Sequence, residues 1–299
     1  MMNESAYLIL AVLALLSLGV PALGNRFLFP IAHVLAKWIR WVLFAGVFAA
    51  LMEITGWSTR SAWVHLVIGG CLWFLLETIY YWVIIGALSR SPLPLFPKFQ
   101  ENLDGDEWPA DACFLKVKDW LRENNYNQVA ALKAELFEKN YLRVSIYDNS
   151  STTSRIQVLF MPKNKGTPSI YFSINSISDG GDRLITDNHS LPFGGYYPKD
   201  WYHSRKPLIG SLAQLHKIHQ QRLAKYSFAR ACFTRDPLSE LNGQQRQLEN
   251  LNIKNGIIVS PAEQDEVGML TEEGRYRIWI EMWLIAYTGK ARSATALSG

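Results

Sequence analysis

Four side chains capable of acid–base chemistry stand close together in this sequence: Asp182, Asp187, His189 and His203. With Ser190 next to His189, the stretch Asp187-Asn188-His189-Ser190 holds an acid, a base and a nucleophile, the parts of a group-transfer site. Asp, Asn, Gly and Ser are also the residues that turns require, so Asp179-Gly180-Gly181-Asp182 and its neighbour read equally as turns. A second pair, His216 and His219, is spaced i,i+3, which puts both on one side of a helix, as two metal ligands would be. Zinc takes three or four ligands, and no spacing elsewhere completes the set. The plainer reading is a helix edge with two hydrogen-bonded or half-exposed histidines. No cofactor is implied. Glycine-rich phosphate loops, the G-x-S-x-G elbow, H-E-x-x-H and C-x-x-C are all absent. The sequence leans against an enzyme without excluding one.

A different kind of polar residue is Glu77, deep inside a long apolar run. An ionisable group at such depth is costly and points to a role. Pairing with Lys37, Arg40, His65, Tyr80 or Tyr81 is preferred over contact with a partner subunit, and both over a proton or ion pathway. Glu53 lies nearer a membrane face and needs less explanation. Binding residues are suggested by an aromatic, glycine-rich loop with Phe193, Tyr196, Tyr197 and Trp201, and by the Trp279 and Trp283 pair. They are also suggested by a basic block over residues 199–235. It includes Lys199, Arg205, Lys206 and Arg222, and carries eight basic residues against Asp200 alone. Such a block suits an anionic lipid surface or a solvated helix face. Nucleic acid is disfavoured, because no reading motif accompanies the charge.

The elements that must position these residues follow from composition. The 299 residues are 49% apolar and 19% charged, with three cysteines, which excludes disordered, collagenous, coiled-coil and disulfide-framework classes. Charge is unevenly spread. Residues 91–299 hold 25 of the 30 basic and 23 of the 26 acidic residues. A water-soluble single domain is thereby excluded. Residues 6–23, about 38–57 and 62–88 read as three membrane-spanning helices, each near the roughly 20 residues a bilayer requires. Residues 27–37 would lead into the second along the membrane surface. The first lacks the basic start and cleavage site of a signal peptide, which favours retention. Five basic residues (Arg26, Lys37, Arg40, Arg90, Lys98) flank one side and Arg60 the other. The positive-inside rule then puts the N-terminus outside and the C-terminal domain in the cytoplasm of a bacterial inner membrane. Cys113 and Cys232 would be buried, reduced thiols.

The expected organisation is an anchor over 1–90, a Pro-rich then acidic linker over 91–110, a cytoplasmic domain over 111–290 and a disordered tail over 291–299. The fold class is an α-helical anchor plus an α+β domain with a small antiparallel sheet and helices on one face. Asp111 caps a helix; residues 127–138 form a second, closed at Asn140. Strands follow at 141–147, 154–161, 169–175 and 183–186. Residues 187–207 read as irregular. Helices follow from Ser211 to Tyr226 and from Pro237 to Asn252, with a short one after Ser260-Pro261. Residues 275–287 either pack on the core or lie in the membrane interface. These features favour a non-catalytic accessory, scaffold or regulatory subunit. Its partners would be the lipid bilayer and other membrane subunits or a second copy of itself. The alternative is a membrane-tethered enzyme acting on a lipid-linked or nucleotide substrate.

Overall fold

The computed structural model describes residues 4–27, 29–104, 108, 112–137, 140–163, 168–234 and 236–292, the side chains of 25–27, 112, 113 and 265 excepted. Asp111, residues 164–167 between two of the expected strands, and residues 293–299 of the expected tail fall outside them. Among the described residues, three helices are long and apolar enough to cross a membrane: α1 (Glu4–Phe27), α2 (Ile31–Thr55) and α3 (Ala62–Ser89). Two differ from expectation. Helix α1 runs through Pro21, whose missing N–H does not end it. Helix α2 begins at Ile31, so the supposed surface lead-in is its first two turns. Small residues let the helices meet closely. A Cβ on Gly69 would come 3.0 Å from the Cα of Ala45 on α2.

The C-terminal α+β domain contains a seven-stranded mixed sheet, larger than the small sheet expected. Its strands lie side by side in chain order: β1 (Gln100–Glu101), β2 (Tyr126–Phe137), β3 (Asn140–Asn149), β4 (Arg155–Met161), β5 (Ser169–Ile177), β6 (Arg183–Asp187) and β7 (Trp201–Arg205). All neighbours are antiparallel except β6 and β7. The helices are α4 (Ala112–Glu123), α5 (Leu212–Lys225), α6 (Pro237–Lys254), α7 (Gln264–Val267) and α8 (Glu272–Thr288).

Four expectations need correction. Residues 127–137 of the expected helix are strand β2, residue 138 lying outside the described residues, and Asn140 opens β3. Ala, Leu, Lys and Glu favour a helix there, but long-range pairing wins: Leu132 faces Val144 and Ala134 faces Leu142, all buried under α6. Residues 201–205 form β7 inside the segment read as irregular. A parallel neighbour needs a crossover connection, and the Gly- and Pro-rich 188–200 loop is that connection. Finally, helices cover both faces. Phe114 and Leu121 of α4 and Leu212 and Leu215 of α5 pack on Ile156, Val158, Phe160 and Phe172. Leu241 of α6 packs on the opposite side chains, Leu132, Val144 and Ile146. Cys232 is exposed rather than buried, in the loop before α6, its thiol donating to Ser151 O.

Helix α8 joins the two parts. Ser89, at the end of α3, accepts from the N–H of Met269 (2.7 Å) and of Leu270 (3.0 Å) just before α8 begins. The helix then runs back along α3 and α2. Trp283 packs on Phe74 and Tyr81, and Trp38 of α2 donates to Tyr287 O at 2.9 Å. Residues 275–287 thus pack within the fold: one side of α8 meets the apolar helices and the other meets the domain.

Candidate functional site

The candidate acid–base residues converge because β6 and β7 are parallel and in register. Asp187 pairs with Arg205 and Ile185 with His203, so Asp187, His203 and Arg205 project from one face. The Asp187 carboxylate lies 2.5 Å from His203 Nε2 and 3.5 Å from Arg205 Nε. Arg205 also donates to Tyr197 Oη (2.7 Å) and to Glu281 of α8 (3.1 Å). The Tyr197 ring stacks on His203 with centroids 4.0 Å apart. The other Glu281 oxygen accepts from the N–H groups of Phe193 (2.8 Å) and Gly194 (2.7 Å). Gly194 sits at φ +66° and so close to α8 that a Cβ would come 2.7 Å from Ile278, so no other residue fits. Arg277 completes the joint, donating to Gly194 O and stacking on Tyr196.

Electrostatics hold Asp187 and Arg205 in their charged forms. Burial pushes the Asp187 carboxyl up, but His189, His203 and Arg205 together outweigh it and hold it well below the usual carboxylate range. Burial works against the Arg205 guanidinium, and Tyr197, Asp187 and Glu281 more than compensate. Burial raises the Tyr197 phenol. An Asp–His pair of this shape can move a proton. The void beside it, between Phe193, Gly195, Tyr197 and Arg277, is only about 10 Å³, room for at most about one water. His189 sits beside the set: its backbone N–H donates to Asp187, and its half-buried ring packs on Tyr171. Asp182 is apart, in the turn between β5 and β6, its N–H bonded to Ser178 Oγ.

The two histidines of α5 also separate. His219 is fully buried between Ser176 Oγ (3.1 Å) and Thr186 Oγ1 (2.9 Å), while His216 packs on Trp120 within 3.3 Å of Tyr126 Oη. Among the described residues no three His, Cys, Asp or Glu side chains form a metal site. Burial, then the charge of Arg222, push the His219 imidazole down to about 3. The unfolded chain, with its ordinary value near 6.5, therefore takes up this proton first. Stability is complete above pH 6.5 and falls as pH drops toward 3. The expected loss is roughly 2 kcal/mol between pH 6.5 and 5. Thermal melts across that range check it, and His219→Gln should flatten the profile.

The remaining sequence candidates are dispersed. Trp201 is buried and lies under Arg183, while Tyr196 and Tyr197 are half-buried. Arg222 is half-buried and clamps the sheet edge, donating to Ile185 O, Thr186 Oγ1 and Tyr202 O. Lys199 and Lys206 are exposed. The basic block is therefore not one surface. Trp279 stacks beside Trp82 of α3, and Trp283 lies between α3 and Tyr287. Glu77 accepts from Lys37, from Tyr81 (2.9 Å) and from Tyr287 of α8, so three helices meet on one carboxylate. Glu53 is partly buried near the far end of α2.

Sequence reasoning missed a second buried network on the same sheet face. Arg155 holds both oxygens of Asp148 (2.8 and 2.7 Å) and also Glu240 of α6 (2.5 Å), which in turn binds Arg183 (2.7 Å). The one signal was the opposite charges of Asp148 and Arg155 at either end of the same turn. No family model matches the chain, and no curated protein or solved structure does so either.

Proposed function

We propose that this chain is a non-catalytic accessory subunit of a bacterial inner membrane. Its three apolar helices span the bilayer, and its C-terminal domain is held at the cytoplasmic surface as a scaffold or regulator for other membrane proteins. The observation that carries this reading is the closure of the Asp187–His203–Arg205–Tyr197–Glu281 set. Each of these side chains bonds or stacks to another of them, and the set ties the sheet edge to α8. Charged groups so satisfied act as a latch, and the alternative, an enzyme on a lipid-linked or nucleotide substrate, would need them open to a ligand. The loop charge, five basic residues against one, supports the cytoplasmic placement.

Closure is tested by hydrogen exchange of the Phe193 and Gly194 amides, which donate to Glu281. A latch keeps them protected by a factor of about 10³ or more, as for amides that open only with the surrounding unit. Exchange at the rate of an exposed loop would reopen the enzyme reading.

A further inference from the structure

A cleft of about 590 Å³ lies between the ends of α1 and α2, the β4–β5 end of the sheet and the end of α8. That is the size of a small-molecule site, and of the networks above only the Glu77 one reaches it, through Lys37. Its chemistry is one-sided. Lys37, Arg40, Lys163 and His33 line it, and none of its described lining residues is acidic. Lys37 is already neutralised by Glu77. Lys163 is exposed, with no carboxylate partner among the described residues. Arg40 makes only a 3.4 Å bond to Ser17 O, and both cations lie within electrostatic reach of the His33 ring. Tyr171 and Ser190 bond to each other at 2.9 Å, which uses one of their two hydroxyl protons and leaves the other for a ligand.

Two uncompensated cations and a free hydroxyl donor are what a phosphate group requires. Much of the rest of the lining is apolar: Pro21 and Val34 from the spanning helices, Phe29 from the turn between them, Leu208 and Ile285 from the domain side. A free phosphate has no use for such walls; a phosphate that brings acyl chains does. We propose that this cleft binds the phosphate headgroup of an anionic membrane phospholipid, with Arg40 and Lys163 as its charge partners and Tyr171–Ser190 as a hydroxyl donor. Basic pockets beside spanning helices recognise such headgroups. The site rests on the anchored-domain reading above, but not on which protein the domain serves.

The test is native mass spectrometry of the full chain in detergent doped with phosphatidylglycerol, phosphatidylcholine or inorganic phosphate. One retained phosphatidylglycerol per chain is expected, with phosphatidylcholine not retained. Lys163→Gln, at an exposed position with no carboxylate partner among the described residues, should lower retention several-fold at unchanged melting temperature. Arg40→Gln with Lys163→Gln should lower it about tenfold or more. Equal retention by the variants, or of both lipids, overturns the proposal. Displacement of the lipid by millimolar inorganic phosphate also overturns it, since the ligand would then be the free ion. None of these results depends on a polypeptide partner, so failure here and failure of the scaffold reading are separable.

Discussion

Glu77→Ala should detach α8 from the apolar helices and lower stability by about 3–5 kcal/mol, the cost of leaving one charge of a buried pair without its partner. Lys37 loses its counter-ion, and Tyr81 and Tyr287 lose their acceptor in a single change. Loss of that magnitude is a large share of a typical total of roughly 5–15 kcal/mol. Glu77→Gln keeps an acceptor but not the charge, and should fall between the two. Limited proteolysis and thermal melts of detergent-solubilised protein read the effect: the variant should be cut near Gly289 and melt lower. If Glu77→Ala melts as wild type and α8 stays protected, the carboxylate does not hold this joint.

The second large effect is expected at Arg155. Its guanidinium, 3% exposed, is shared by Asp148 and Glu240, so Arg155→Ala would bury two carboxylates with only Arg183 near. A loss of about 3–5 kcal/mol is expected, enough to unfold the domain in a marginal chain. Arg155→Lys should rescue little. A point charge cannot hold both oxygens of Asp148 and reach Glu240 at once, as the planar fork does. Chemical denaturation of the two variants distinguishes this from a simple charge effect, which Lys would restore.

These two clusters mark where the sequence was legible and where it was not. The three apolar helices were visible because hydropathy alone determines them, and the hairpins of β3 to β5 because short polar turns punctuate alternating strands. Strand β2 was not, since its Ala, Leu, Lys and Glu prefer a helix and only the pairing of Leu132 with Val144 reverses that. Strand β7 was hidden for a related reason: its parallel partner β6 lies across a loop, and no local pattern announces a parallel neighbour. Asp187 and His203 were named from residue type alone. Their partner Glu281 was not, because it sits within the aromatic run of α8, distant in sequence. The rings of His216 and His219 part because helical spacing fixes direction but not depth: one meets Trp120 and the other lies under the sheet.

The most direct test of the accessory-subunit reading is native mass spectrometry of particles extracted gently from the protein's own membrane. This chain is expected at fixed stoichiometry with at least one other membrane polypeptide, unchanged when His203→Gln removes the imidazole. A lone chain carrying a nucleotide or lipid-linked intermediate, lost on His203→Gln, would contradict it and make the Asp187–His203 pair a catalytic site.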